Sequence, residues 1–286
     1  MGNVASIAQI TPIDQCNVKD MTMCGSDLYV ATNEGYLIFD TKVGETKEMK
    51  TVGNLTSIIA KDQTDLWYIA NLGMSSTINH VNGTETTTYS VANGAIKGGQ
   101  YADYSAKGLA YGPDNTVWFG AYGFFHKFDG KEWTNYTCPA SNFGRIYYKR
   151  FAFDSNGTVW VAGKDGQKNA TFGEFDPVKG EQTPVACDFA DDGVNSMFVD
   201  ANDNVWIGTD YKGFYKYDGN TFVNYNKDSE ANIDINIKTN ATVGLCQATN
   251  GDIYYAFNKS LVCFSGDYMV VAGTVTNEDH PRDAIT

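Results

Sequence analysis

Short apolar runs recur along the chain, each closed by Asp, Asn or Gly, and none convincingly shows the spacing of an amphipathic helix. The clearest is NVWIGTDYKGFYKYDG, residues 204–219. Strand side chains alternate, so Val205 and Ile207 fall on one face and Trp206 and Gly208 on the other. Both rows are apolar or small, as expected of a sheet covered on both sides. Gly208 leaves room for a neighbouring sheet, Gly213 relieves the loop into the next strand, and Asp218-Gly219 forms a two-residue hairpin turn.

The segment is not alone. It recurs as DLYVATNEGYLIFD from Asp27, DLWYIANLG from Asp65 and TVWFGAYGFFHKFDG from Thr116. TVWVAGKDG from Thr158, with FGEFDP from Phe172, and DIYYAFNKSLVCFSG from Asp252 complete the set. The aligned aromatics Tyr29, Trp67, Trp118, Trp160, Trp206 and Tyr254 are separated by 38, 51, 42, 46 and 48 residues, a mean of 45. Strand composition at this period predicts propeller blades. An upstream apolar run in each unit (SIIAKD, GLAYGPD, RFAFDS, SMFVDAND, GLCQATNGD) supplies an inner strand. The fifth blade is therefore predicted over 195–199, 205–209, 213–217 and 221–225.

The fold predicted is all-β, a single β-propeller of six four-stranded blades at about 17–50, 55–90, 106–137, 146–186, 194–226 and 243–271. Residues 1–16 and 272–286 are left for closure or tail. ASIAQIT near the start is expected to pair with the last blade, whose outer strand includes YMVVA. Seven blades, the last built from both termini, is the alternative.

Composition agrees with many strands and tight turns: 29 glycines, 18 tyrosines, 6 prolines and 14% aromatics. A net charge of −13 argues against nucleic acid and anionic membranes, which require clustered Lys and Arg. No apolar stretch is long enough for a transmembrane helix, and MGNVASIAQI lacks the pattern of a signal peptide, so a signal sequence would have been removed. Cys16, Cys24, Cys138, Cys187, Cys246 and Cys263 form no C-x-x-C pair; they read as small buried hydrophobes, one or two disulfides remaining open for a secreted protein.

The motif of a turn Asp or Asn, then Val/Leu-Trp-Ile-Gly-Thr, then Gly-Phe/Leu-Tyr-Lys/Arg-Tyr-Asp-Gly resembles the two-component-regulator propeller repeats. These occur in periplasmic sensor regions of hybrid histidine kinases from gut bacteria. The match is close at 204–219 and 116–130 and looser in the first, second and sixth units. The resemblance implies the propeller fold and recognition of carbohydrate fragments, in a periplasmic or extracellular setting. No kinase part, membrane helix or second propeller accompanies it here, so a stand-alone binding propeller is expected. A weaker resemblance is to streptogramin-lyase-type propellers, whose site uses His and a metal; His80, His126 and His280 lie in unrelated contexts.

Uneven loop length points to a site. The connections at 93–108, 138–150, 187–195 and 226–241 are long. All four join an outer strand to the next inner strand and so share one face, where propeller ligands meet the channel mouth. The candidate ligand-binding residues are Tyr101, Tyr104, Tyr122, Arg145, Tyr147, Tyr148, Arg150, Asp191, Asp192, Tyr211 and Lys212, with Asp165 and Asp188 beside them. Tyrosines stack on sugar faces, and Arg and Asp bind hydroxyls or carboxylates; the plain alternative is loop packing and solvated charge. DFADDG (188–193) could hold calcium but lacks EF-hand spacing, so no cofactor is expected. DANDN, DSNG and GPDN recur at one blade position and read as hairpin turns, and His126 reads as a packing substitute for Tyr215.

The favoured function is a non-catalytic, monomeric recognition propeller for a glycan or glycan-bearing partner. The rivals are a polysaccharide or lactone lyase or hydrolase, using Asp191 with or without a metal, and a protein-interaction scaffold.

Overall fold

A computed structural model of the protein describes residues 18–97, 102–138, 140–141, 144–145, 147–164, 170–189, 193–226, 242, 244–257, 260–265 and 268–274. The architecture is an all-β propeller. Among the described residues the strands form six four-stranded antiparallel meanders and one two-stranded ribbon, Ala140–Ser141 with Gly144–Arg145. The inner strands, in chain order, are Val18–Cys24, Leu55–Ala60, Lys107–Tyr111, Tyr147–Phe153, Val194–Val199 and Gly244–Gln247. Each packs on the next, and Gly244–Gln247 packs back on Val18–Cys24, so the inner strands form a closed ring. The outer strand of the last sheet is Tyr268–Thr274, which contains the YMVVA run; the ASIAQIT segment lies outside the described residues.

The second strands carry the repeating Trp because both their faces are covered. Val205–Thr209 is buried at every position, as are Val117–Ala121 and Asp27–Thr32. Trp118 stacks on Tyr136 of its own sheet at 5.7 Å and meets Phe153 of the next at 5.4 Å. Phe125 and Phe175 pack edge-on at 4.4 Å, and Phe214 and Tyr255 meet at 4.9 Å. Each such ring withdraws roughly 150–250 Å² from water, which is how the sheets adhere without sharing a ladder. Gly208 is small because a Cβ there would come within 2.8 Å of Thr242 Cγ2 and 3.2 Å of Leu245 Cδ1 in the adjoining sheet.

The Asp-rich turns close hairpins. Asp200 Oδ1 accepts from the backbone N–H groups of Asn202 and Asn204, each at 2.9 Å, and Asp154 Oδ1 does the same for Asn156 and Thr158. The other oxygen has a second use: Trp206 Nε1 donates to Asp200 Oδ2 at 2.8 Å, and Trp160 Nε1 to Asp154 Oδ2 at 3.4 Å. One carboxylate thus caps the turn and satisfies the buried indole. Burial works to raise the Asp200 carboxyl, but the bonds from Trp206 and Asn204 outweigh it and hold it below the ordinary range.

The meander fixes two faces. Connections from second to third strand, and from each sheet to the next, emerge on one end of the ring, the loop face. The remaining turns emerge on the other, the hairpin face.

Candidate functional site

On the loop face, the turns between second and third strands hold Tyr122 and Tyr211 out in solvent, 47% and 77% exposed. Tyr122 follows the strand Val117–Ala121, and its N–H donates to the carbonyl of Tyr104 at 3.2 Å. The Tyr104 ring stands edge-on to that of Tyr122 at 6.2 Å, so two sequence-distant loops present one aromatic pair. Tyr211 sits on a turn with little freedom. Lys212 N–H donates to Thr209 Oγ1 at 3.0 Å, and that hydroxyl donates to the carbonyl of Gly213 at 2.8 Å. Lys212 Nζ reaches the carbonyl of Asp188 at 2.6 Å and so ties this turn to the neighbouring connection. Behind them Asp210 accepts from Asn195 Nδ2 at 2.5 Å and lies 3.8 Å from Lys164 Nζ. Leu72 and Met74, on the matching turn of the second sheet, are 64% and 74% exposed, and Val52 is on the same face.

The other candidate residues disperse. Tyr101, Asp165, Asp191 and Asp192 lie outside the described residues. Arg145 belongs to the two-stranded ribbon. Tyr147, Tyr148 and Arg150, read from the sequence as part of a long loop, belong instead to the inner strand Tyr147–Phe153. Arg150 is only 6% exposed and lines the axial channel. The reason is a register shift between Tyr148 and Arg150, which turns the charged side chain toward the axis.

The same shift precedes Asp20, Ser57 and Ser196 on three other inner strands, and sequence reasoning missed all three. A signal was present: a polar pair (Lys19-Asp20, Thr56-Ser57, Lys149-Arg150, Asn195-Ser196) interrupts each apolar strand at one position. Ser57 donates to Asp20 Oδ2, which also accepts from the N–H of Ile58 at 3.3 Å. Ser57 Oγ in turn accepts from the N–H of Leu109 at 2.9 Å, and Ser196 Oγ from that of Leu245 at 2.8 Å. These side chains lace neighbouring inner strands together. Burial raises the Asp20 carboxyl, with Arg150 and the bonds from Ser57 and Ile58 pulling the other way.

The two described histidines are committed to packing. His80 stacks on Trp67 at 4.1 Å and bonds Asp65 at 2.9 Å. His126 is fully buried, stacks on Phe119 at 4.5 Å, and donates from Nε2 to the carbonyl of Ala102 at 2.7 Å. Burial pushes its pKa down to about 4, so it stays neutral where an unfolded histidine would be charged. Between pH 6.5 and 4 the unfolded chain binds the extra proton, so stability falls as pH falls, by up to about 3 kcal/mol. Thermal melts from pH 7 to 4 should show this loss, and His126→Gln, which keeps a donor for Ala102, should remove most of it. Asp200 titrates below its ordinary range and contributes only to acid unfolding further down. Cys24, Cys138, Cys187, Cys246 and Cys263 are all unbridged thiols.

The family model for the two component regulator propeller matches residues 188–211, across the Asp188 connection, the inner strand Val194–Val199 and the Trp206 strand to Tyr211. That match covers one repeat of the chain. Among solved structures, the chain is similar to the extracellular domain of BT4673 from B. thetaiotaomicron, described as a one component system. The TM-score is 0.60 at 14% identity, over 89% of this chain and 32% of that one. The chain thus spans about a third of that protein's length. It is also similar to virginiamycin B lyase from Staphylococcus aureus, with a TM-score of 0.64 at 10% identity, over 94% of this chain and 88% of the lyase. At these identities the likenesses establish the fold. No curated protein sequence matches the chain.

Proposed function

We propose that this chain is a non-catalytic, extracytoplasmic recognition propeller that binds a glycan or glycan-bearing partner on its loop face. The observation that carries this reading is the exposure of Tyr122 and Tyr211, the first on a turn bonded to the Tyr104 loop and the second on a turn braced by its own hydrogen bonds. A phenol ring left in water on a rigid turn is a preformed platform for a sugar face. Exposed Leu72 and Met74 on the same face favour a glycan carried by a protein over a free sugar. The similarity to the extracellular domain of a one component system supports an extracytoplasmic location, and among the described residues no helix is long and apolar enough to cross a membrane.

A glycan array followed by titration of the best-binding glycan tests this. The double variant Tyr122→Ala/Tyr211→Ala should bind at least tenfold more weakly, each ring contributing about 0.5–1.5 kcal/mol beyond its buried area. Its folding stability should stay within about 0.5 kcal/mol of the parent, since both rings are at the surface. Full affinity in that variant would count against the loop face.

A further inference from the structure

Next to Tyr211, three chain segments from two sheets converge on one polar cluster. Lys164 ends the strand Val159–Lys164, Asn195 lies on the inner strand Val194–Val199, and Asp210 follows the strand Val205–Thr209. Asn195 is carried on the register shift between Val194 and Ser196, a kink of the kind that re-aims side chains at sites. Its Nδ2 donates to Asp210 Oδ1 at 2.5 Å. The Asp210 N–H donates to the carbonyl of Gly193 at 2.9 Å, which fixes the backbone that carries the carboxylate. Gly193 is small for the sake of the cluster: a Cβ there would collide with Asp210 Oδ2 and lie 3.1 Å from Lys164 Nζ. The second carboxylate oxygen is differently placed. Asp210 Oδ2 lies 3.8 Å from Lys164 Nζ, attracted by it but beyond hydrogen-bond reach. A clasp between sheets is strongest with its groups in contact, at roughly 2.7–2.9 Å. Here the pair stands apart and stays open to solvent, with the two side chains 20% and 33% exposed.

We propose that Asp210, Lys164 and Asn195 are the polar half of the Tyr211 subsite and select a neutral sugar ring through two adjacent hydroxyls. The inference rests on the loop-face reading and names the class of sugar taken there. One hydroxyl lies between Lys164 and Asp210, accepting from the ammonium and donating to Oδ2. Its neighbour bonds the amide of Asn195. A hydroxyl both donates and accepts, so it satisfies both members of the separated pair. A uronic carboxylate has no proton for Asp210, and the ammonium of an amino sugar has no lone pair for Lys164. The surrounding charge points the same way. Among the described residues next to Tyr211, Lys164 and Lys212 balance Asp188 and Asp210, so a ligand of neither sign is favoured. Tyr211, 77% exposed on the residue after Asp210, offers its ring to the sugar face.

An array probed with the full chain tests the class. Fragments of galactan, mannan, xylan and β-glucan form the neutral set, polygalacturonate and alginate the anionic set, and chitosan the cationic one. Signal is expected on the neutral set, with the charged sets at least tenfold weaker. Calorimetric titration then uses the neutral fragment of highest signal. Asp210→Asn keeps an acceptor for Asn195 but removes the charge facing Lys164, and should weaken binding at least tenfold. Should that variant fail to fold, Lys164→Met decides the matter, with a loss of at least threefold expected. Deoxy analogues of the same fragment give a readout that a merely structural role would not move. Removing either of two adjacent hydroxyls should weaken binding to the parent, and much less to Asp210→Asn. Charged fragments that bind as well as neutral ones, or equal deoxy losses in parent and variant, would overturn the proposal. So would full affinity in folded Asp210→Asn and Lys164→Met while Tyr211→Ala loses binding; the loop-face reading would then stand. No signal on any set, or full affinity in Tyr211→Ala as well, would remove both.

Discussion

Replacing Trp206 by alanine is expected to destabilise the fold by about 3–5 kcal/mol, the range for deleting a large aromatic from a packed core. The side chain is 4% exposed. It stacks on Phe198 at 6.1 Å and Tyr225 at 5.7 Å, and Lys216 Nζ lies 5.6 Å from the ring centre. Its indole N–H is also one of the donors that hold the Asp200 turn. Because native domains retain only about 5–15 kcal/mol, the loss is a large share of the whole. Trp206→Phe should recover much of the packing but not the bond to Asp200, and should cost roughly 1–2 kcal/mol. Urea unfolding of the three proteins measures both effects. A Trp206→Ala variant within 1 kcal/mol of the parent, as a rough limit, would mean that this ring is not packed as part of the core.

The second large effect is expected at Gly213. Its φ of +81° belongs to the left-handed region, and an added Cβ would lie 2.1 Å from the carbonyl oxygen of Tyr225 on the outer strand. Even alanine must therefore displace backbone and also bear left-handed strain of roughly 1–2 kcal/mol. Gly213→Ala should cost at least about 2 kcal/mol in all. Much of that cost should appear as loss of the outer strand Phe222–Tyr225 from its sheet. Gly219 offers the control. Its φ is +94°, but nothing lies within 4 Å of a Cβ there, so Gly219→Ala should show the conformational strain without the collision. Urea midpoints that rank the two variants equally would refute the collision as the cause.

The repeat made most of the fold legible. Once Trp206 and its equivalents were aligned, the strands of the fifth sheet fell within a residue of Val194–Val199, Val205–Thr209, Phe214–Tyr217 and Phe222–Tyr225. Hairpin residues were readable because Asp and Gly have strong local preferences. Asp218 does more than the Asp-Gly pattern implies, since its Oδ1 accepts from the N–H groups of Asn220 and Thr221 at 2.9 and 2.7 Å. His126 was correctly read as a packing residue, because it occupies the register of Tyr215.

The channel was illegible for a physical reason. A register shift moves Arg150 and Asp20 from the alternation expected of their strands to the axis, and alternation was the means of assigning faces. Arg150 thus looked like the end of a long loop when it is part of a wall. On the loop face, Tyr122 and Tyr211 were readable because second-to-third-strand turns have fixed places in a meander. Tyr104 meets Tyr122 through a ring contact that spacing does not reveal.

Hydrogen exchange on the full chain, with and without a glycan that scores on the array, tests recognition at the loop face most directly. The expected result is slowed exchange at 121–124 and 209–213, with the turns around Asp154 and Asp200 unchanged. Protection confined to those hairpin turns, or none at saturating glycan, would contradict it.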